Sequence, residues 1–178
     1  NSDMRKHYED AWGRSLDPVK GLTVVEIMNA INDGDISGMY IMGENPAMSD
    51  PDQRHARQAL SKLDNLVVQD IFFTETAWFA DVIFPASAQP EKAGSYTNSN
   101  RQVQVGFPVR KAPGDAEQDW KLIVDLANRC RLNWNYKNVS SVYKEMASTM
   151  SSLNNISWER LEKEGAVCYP VDDETSFG

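Results

Sequence analysis

The chain has 178 residues, of which 41% are hydrophobic and 25% are charged, and its formal net charge at pH 7 is -8. A chain of this length buries about 70% of its unfolded surface, so one sizeable core is expected. The negative charge argues against a nucleic-acid partner, because phosphate binding relies on clustered Lys and Arg. No stretch approaches the roughly 20 apolar residues of a membrane helix, and no secretory signal is recognisable, so we expect a cytoplasmic protein without a membrane partner.

Few side chains are suited to binding a metal ion or attacking a substrate. The two cysteines, Cys130 and Cys168, lie far apart and match no metal-ligand spacing, and the two histidines are equally isolated. Free cysteine is among the most frequently buried residue types, so we expect both cysteines to be buried as small apolar side chains. The sequence therefore predicts no metal site, no iron–sulfur cluster and no cysteine nucleophile.

Strand and helix patterns alternate through the first half of the chain. Apolar runs predict strands at 38–43, 66–70 and 82–85, and amphipathic segments predict helices at 23–32, 51–63 and 75–80. Thr23 is a suitable cap for the first helix and Gly34 a suitable end. The first strand is predicted to be buried on both faces. This order predicts an α/β fold: a doubly wound, mostly parallel, Rossmann-like sheet with helices on both faces.

The pattern changes after the third predicted strand. Residues 86–101 are rich in Ser, Asn, Gly and Gln, which predicts a long exposed loop. Beyond it, a strand is predicted at 102–105 and helices at 119–129 and 139–150. We expect 1–178 to form a single α/β domain, with the opening segment 1–20 and the tail 165–178 peripheral.

Polar residues gather at the predicted carboxyl ends of the strands, where parallel α/β sheets bind ligands. They are Gly43-Glu44-Asn45-Pro46 after the first strand, Gln69-Asp70 at the end of the second, and Glu91-Lys92 in the loop after the third. Gly43 allows a close backbone approach, and Asn45 offers hydrogen-bond donors and acceptors. Because Gly, Asn and Pro also dominate ordinary turns, a turn with a helix cap is the alternative interpretation.

Two charged residues at this edge also have two interpretations. Asp70 is placed to accept hydrogen bonds from ribose hydroxyls or a base edge, but it is equally suited to cap the turn before Thr74. Lys92 is suited to a phosphate, although most lysines are simply solvated. The chain has no Gly-x-Gly-x-x-Gly sequence and no Gly-Lys-Ser/Thr loop, so nicotinamide and ATP sites are not indicated.

An ordered set of motifs resembles the molybdopterin oxidoreductase family over nearly the whole chain. The motifs are Met42-Gly-Glu-Asn-Pro-Ala-Met-Ser-Asp-Pro-Asp52, Leu66-Val-Val-Gln-Asp-Ile-Phe72, Thr74-Glu-Thr-Ala77, Ala80-Asp-Val-Ile-Phe-Pro-Ala86, Glu91-Lys92-x-Gly94, Thr97-Asn98 and Gly114-Asp-Ala116. Within the family the chain is most similar to the catalytic alpha subunit of NAD-linked formate dehydrogenases, which share Gln69-Asp70-Ile71-Phe72. Nitrate reductases tend to carry Ser-Asp at the first pair, and a nitrate reductase catalytic subunit is the nearest alternative.

The resemblance implies an enzyme that oxidises formate to carbon dioxide at a molybdenum or tungsten ion. The ion is held by two molybdopterin guanine dinucleotides (bis-MGD) and a Cys or selenocysteine. In the family these catalytic residues and the cysteines of a four-iron cluster lie upstream, and a β-barrel domain lies downstream. The chain is therefore expected to be the third of four domains: a cofactor-binding fragment that is inactive alone, without catalytic or metal-ligating residues and without bound cofactor. The implied partners are the other domains of the alpha subunit and the NAD/flavin and iron–sulfur subunits.

The family's cofactor contacts fall on Asn45, Gln69, Asp70, Lys92 and Asp119, with Gly43 and Glu44 as loop supports. The resemblance implies that Asp70 accepts hydrogen bonds from guanine or ribose, Lys92 neutralises pyrophosphate and Asn45 orients a polar edge of the nucleotide. Asp119 is also suited to cap a helix, so its role rests on the resemblance alone. Ser99-Asn100-Arg101 departs from the acidic residue and paired arginines of relatives, which puts their salt bridge in doubt here.

A second functional class stays open: a stand-alone binding or assembly module that kept the fold. The two classes differ in whether Asn45, Asp70 and Lys92 converge on one groove of nucleotide size. As an isolated fragment, the chain is expected to have a mobile or displaced loop at 86–101. It is also expected to expose the faces that meet the rest of the subunit and to self-associate through them.

Overall fold

A computed structural model describes residues 2–172, which form two compact units. The parallel unit contains residues 19–88 and 112–122, and the antiparallel unit contains residues 2–18, 89–111 and 123–172. Both units are assembled from separate stretches of chain, and the division falls within a helix, after Leu122. The single α/β domain expected over 1–178 stays a prediction.

Seven α-helices and six strands are present among the described residues. In chain order the helices are α1 Ser2–Trp12, α2 Val24–Asp33, α3 Pro46–Ser49, α4 Gln53–Leu60, α5 Asp119–Arg129, α6 Val139–Thr149 and α7 Trp158–Glu164. The strands are β1 Gly38–Met42, β2 Asn65–Asp70, β3 Val82–Pro85, β4 Gly94–Thr97, β5 Gln102–Gly106 and β6 Ala166–Cys168. Short 3-10 turns lie at Ala77–Phe79, Gln89–Glu91 and Ser151–Leu153.

The parallel unit is built on a three-stranded sheet in the order β1-β2-β3, with every pair of neighbours parallel. Met39 pairs with Leu66 and Val68 pairs with Ile83, so the strand ends lie at one edge. The predicted α/β class with a parallel sheet is confirmed. Burial of β1 on both faces is wrong, because Ile41 is buried whereas Met42 is 48% exposed.

Helix α2 begins and ends where the sequence predicts. The hydroxyl of Thr23 accepts a hydrogen bond from the Glu26 amide while the Glu26 carboxylate accepts one from the Thr23 amide, which forms a capping box. Gly34 follows the last turn with a φ of 87°, a conformation that favours glycine. The helix buries Met28 and Ile31 against α4, where Ala56 and Ala59 are fully buried. This packing sets the core on one side of the sheet.

Two local predictions in the parallel unit need correction. The expected loop after β1 contains α3, because Pro46 stands at the first helical position, where its fixed φ is favourable. The expected helix at 75–80 is only the 3-10 turn Ala77–Phe79. Both segments are too short for a helical periodicity to appear in the sequence.

The antiparallel unit contains a second sheet, in the order β4-β5-β6. Its core is formed by Val103, Tyr143, Leu153, Ile156, Trp158, Leu161, Val167 and Val171. Tyr143 and Trp158 meet edge to face, with ring centroids 5.7 Å apart, and the Tyr143 hydroxyl donates to the Ile156 carbonyl at 2.9 Å. The strand predicted at 102–105 is confirmed as β5.

The predictions for 86–101 and for the tail differ from the structure. The expected exposed loop contains a 3-10 turn and β4, and residues 91–96 are half-buried. Its mobility stays a prediction. The tail expected to be peripheral supplies β6 and buries Val167 and Val171, while residues 173–178 lie outside the described part of the chain. β4 is a short polar strand that forms a hairpin with the β5 strand that follows it, and β6 is a short apolar strand that pairs with β5 from far away in sequence.

The cysteine prediction is wrong, because Cys130 is exposed and Cys168 is half-buried. Cys130 follows directly after α5, where no neighbouring element covers it. Among residues 2–172, no three or more His, Cys, Asp or Glu side chains are arranged to hold a metal ion. None of the helices in that range is long and apolar enough to span a membrane.

Candidate functional site

The loops that follow β1 and β2 meet at the carboxyl edge of the parallel sheet. Gly43 leaves β1 with a φ of 64°, which favours glycine, and its amide donates to the Gln69 carbonyl at 2.9 Å. The next residue, Glu44, is exposed, and its predicted supporting role stays a prediction. The edge predicted from the sequence to carry polar residues therefore exists within the parallel unit.

Asn45 connects these two loops. Its Oδ1 accepts hydrogen bonds from the Thr76 amide at 3.1 Å and from the Thr76 hydroxyl at 2.8 Å, and its Nδ2 donates to the Glu75 carboxylate at 2.7 Å. The Thr76 hydroxyl accepts in turn from the Ala47 amide at 3.1 Å, and Thr76 is fully buried. The hydrogen bond from Asn45 is the main cause that lowers the pKa of the Glu75 carboxyl group. The Asn45 amide therefore holds the loops together.

Gln69 lies between two polar side chains. Its Oε1 accepts a hydrogen bond from the Tyr40 hydroxyl, and its Nε2 donates to Oδ1 of Asp119 at 2.7 Å. The Gln69 side chain is completely buried, whereas Asp119 is half-buried at the first position of α5. Burial, and then the negative charge of Asp119, raises the pKa of the Tyr40 hydroxyl. The three side chains form one chain of hydrogen bonds.

Asp70 closes β2 and turns the chain. Its Oδ1 accepts hydrogen bonds from the amides of Ile71 at 2.6 Å and Phe72 at 3.3 Å. The predicted capping alternative is therefore partly right, although the amides are those directly after Asp70 and not the one of Thr74. Oδ2 has no hydrogen-bond partner among residues 2–172, so half of the carboxylate remains available at this edge.

A group of large apolar side chains is exposed directly after Asp70. Phe72 is 73% exposed, Phe73 60% and Trp78 76%. The rings of Phe73 and Trp78 meet edge to face with centroids 4.9 Å apart. Exposed aromatic groups of this size mark surfaces that other molecules or domains cover.

Lys92 belongs to the antiparallel unit, so its predicted convergence with Asn45 and Asp70 stays a prediction. Its amide donates to the Gln89 carbonyl at 3.5 Å in a 3-10 turn. The neighbouring Glu91 forms an ion pair with Arg110 at 3.4 Å, with a Glu91 side chain that is only 9% exposed. Lys92 is thus held on an ordered, half-buried segment.

Sequence reasoning missed three residues of this edge: Tyr40, Glu75 and Thr76. Glu75 and Thr76 were visible only as part of the family motif Thr74-Glu-Thr-Ala77, without a role. Tyr40 of β1 pairs with Val67 of β2 in the parallel register. Gln69 lies two residues after Val67 on β2, so the side chains of Tyr40 and Gln69 point to the same face of the sheet. The contact between Tyr40 and Gln69 depends on the register between β1 and β2, and the apolar run of β1 alone does not reveal this register.

The family model described as Molybdopterin oxidoreductase matches residues 8–129. The chain is 40% identical to "Putative formate dehydrogenase YrhE" of Bacillus subtilis (strain 168), over 89% of the chain and 16% of the relative. It is 41% identical to "F420-dependent formate dehydrogenase subunit alpha" of Methanocaldococcus jannaschii, over 99% of the chain and 26% of the relative. The fold resembles that of acetylene hydratase from Pelobacter acetylenicus, with a TM-score of 0.69 and 20% identity, over 94% of the chain and 24% of that structure.

With a family match over more than half of its length, the chain belongs to the molybdopterin oxidoreductase family. The two relatives at about 40% identity are named as a putative formate dehydrogenase and as a formate dehydrogenase subunit. It spans about a quarter or less of the length of these curated relatives.

Proposed function

We propose that this chain holds a guanine dinucleotide of the bis-MGD cofactor in an enzyme that oxidises formate to carbon dioxide. The similarity to formate dehydrogenases over most of the chain supports this proposal. The names of these relatives also favour formate over the nitrate reductase alternative. When bound, the molybdenum or tungsten ion of the cofactor supplies the redox chemistry, whereas this chain binds and orients the nucleotide.

The observation that carries the proposal is the Asp70 carboxylate at the carboxyl edge of a parallel sheet, where only one of its two oxygens accepts hydrogen bonds from described residues. Guanine presents N–H donors along one edge and ribose presents hydroxyl donors, so a carboxylate is a suitable acceptor for either group. Two backbone amides hold Oδ1, and Oδ2 has no hydrogen-bond partner among the described residues, so it can accept from a ligand. The residues present therefore fit the nucleotide half of the cofactor.

Other features of the intact enzyme are part of the same proposal. The remaining domains would contribute the metal ligand, and partner subunits would carry electrons away. One relative is named a subunit and F420-dependent, whereas the resemblance of the sequence implied NAD. The cytoplasmic location and the NAD/flavin and iron–sulfur partners stay predictions, which purification of the intact complex from the cytosolic fraction tests.

Calorimetric titration of the chain with GMP tests the proposal, with Asp70→Ala as the binding-deficient variant and Asp64→Ala as the matched control. Asp64 is exposed in the same unit and lies outside the edge. We expect Asp70→Ala to weaken binding about tenfold or more, because a hydrogen bond to a charged acceptor is worth about 1.5–3 kcal/mol. Equal binding by all three proteins would reject the role of Asp70.

The intact protein gives the complementary test, in case the isolated chain binds GMP too weakly to measure. We expect the purified intact protein to release guanine nucleotide on acid treatment, and the Asp70→Ala variant to release much less. An intact protein without guanine nucleotide would reject the cofactor assignment and favour the stand-alone binding module.

A further inference from the structure

We propose that Gln69 is a positioning residue, which holds the Asp119 carboxylate for the bound nucleotide and does not itself contact the nucleotide. This inference rests on the proposed function, and it changes the role that the family resemblance implied for Gln69. All residues involved belong to the parallel unit.

The Gln69 side chain has no surface with which to reach a ligand. It is 0% exposed, and both ends of its amide are engaged by protein groups. The oxygen accepts from the Tyr40 hydroxyl, and the nitrogen donates to Oδ1 of Asp119 at 2.7 Å. Each end of the amide could take one more hydrogen bond, but a fully buried side chain presents no surface through which a ligand can form it.

The Asp119 carboxylate determines which end of the Gln69 amide faces it, and the Tyr40 hydroxyl satisfies the other end. A reversed amide would bring its oxygen against the carboxylate oxygen, and two acceptors repel each other. In the observed orientation the hydroxyl donates to the amide oxygen and the amide nitrogen donates to the carboxylate. Both contacts are satisfied only in this orientation, so the Gln69 donor is fixed towards Asp119.

Asp119 is the member of this chain of hydrogen bonds that can meet a nucleotide. It is half-buried and stands at the first position of α5, where the helix dipole favours a negative charge. A carboxylate has about four lone-pair positions, so the hydrogen bond from Gln69 orients the group and is compatible with further hydrogen bonds to it. Orientation of a charged acceptor before binding removes part of the cost of ordering it when the ligand arrives.

The decisive variant is Gln69→Glu in the intact, cofactor-loaded protein, with Gln58→Glu as the control. Gln58 is exposed on α4 and receives the same added charge away from the site. When the introduced carboxyl group is protonated it can donate to Asp119 as the amide does, and when it is ionised it repels Asp119. Burial and the nearby negative charge both raise its pKa, so the defect must appear as the pH rises.

We expect the Gln69→Glu protein dialysed at about pH 8 to retain about tenfold less guanine nucleotide than the same protein at about pH 5.5. Unmodified protein and Gln58→Glu should retain equal amounts at both pH values. Equal retention by Gln69→Glu and Gln58→Glu at both pH values would overturn the proposal. A loss that is the same at both pH values and follows the thermal unfolding temperature would also overturn it, because it would indicate a purely structural hydrogen bond.

Tyr40→Phe provides a second test that introduces no charge. It removes the hydroxyl that donates to the amide oxygen and so helps to hold the Gln69 side chain in place, and we expect severalfold lower nucleotide retention with Gln69 and Asp119 unchanged. Retention equal to that of unmodified protein would contradict the positioning role. If the unmodified intact protein contains no guanine nucleotide, the proposed function fails; if it does and both variants behave normally, only this inference fails.

Discussion

A single amide oxygen of Asn45 accepts hydrogen bonds from both the backbone and the hydroxyl of Thr76, which joins the loop after β1 to the loop after β2. Because Thr76 is fully buried, removal of the acceptor leaves its amide without a partner. We expect Asn45→Ala to lower the free energy of unfolding by about 1–3 kcal/mol, measured by urea denaturation. Glu44→Ala, on the exposed neighbouring position, should change it by less than about 0.5 kcal/mol.

Asp81 is expected to stabilise the start of the parallel sheet. Its carboxylate accepts from the Leu66 amide at 2.7 Å, and its own amide donates to the Leu66 carbonyl at 2.8 Å. We expect Asp81→Ala to cost about 1 kcal/mol in the free energy of unfolding, because the Leu66 amide loses its acceptor. Urea denaturation checks this value against Asp64→Ala, and equal stability of the two variants would show that the side-chain contact contributes nothing.

Tyr136 should ionise well above the usual range of tyrosine. Its hydrogen bond to the Glu145 carboxylate is the main cause that raises the pKa of its hydroxyl from 10.0 to about 12. The raised pKa contributes stability that is present below the ordinary pKa and is lost as the pH rises through the folded value. Ultraviolet titration of tyrosinate should include a group that ionises late, and Glu145→Gln should lower the pKa of that group. An unchanged titration curve would contradict the assignment.

The exposed aromatic group after Asp70 should promote self-association of the isolated chain. Phe72 and Trp78 are each more than 70% exposed, and water is unfavourable around large apolar surfaces. We expect the double variant Phe72→Ser, Trp78→Ser to sediment as a smaller species at high concentration, without a lower unfolding temperature. Val19→Ser, which removes another 75% exposed apolar side chain in the same unit, should leave sedimentation unchanged.

Helix ends that are set by residues close together in sequence could be predicted from the sequence. Thr23 and Gly34 mark the ends of α2 through capping chemistry that operates within a few residues. β4 and β6 were missed because each has only three or four residues, and each becomes a strand only through pairing with β5. Runs of three or four residues are too short to show a strand periodicity, and the pairing of β6 with β5 also joins segments that are far apart in sequence.

The position of the candidate site, at the carboxyl edge of the parallel sheet, was predictable from the sequence, but the hydrogen bonds among its side chains were not. The rule that ligands bind at the carboxyl ends of parallel strands directed attention to Asn45, Gln69 and Asp70. It could not reveal that the amides of Asn45 and Gln69 are engaged by Thr76 and Tyr40, because those contacts depend on register and loop packing. Of these three residues, Asp70 is the one with a side-chain oxygen that has no hydrogen-bond partner among the described residues.

The interleaving of the two units has a consequence for the order in which they can form during synthesis. All residues of the parallel unit lie before position 123, so its last segment emerges from the ribosome while the remaining residues are still being added. The antiparallel unit begins earlier in the chain but cannot complete its sheet until β6, at Ala166–Cys168, becomes available to β5. During that interval one edge of β5 presents unpaired backbone groups, and this nascent edge is where misassociation between chains would begin.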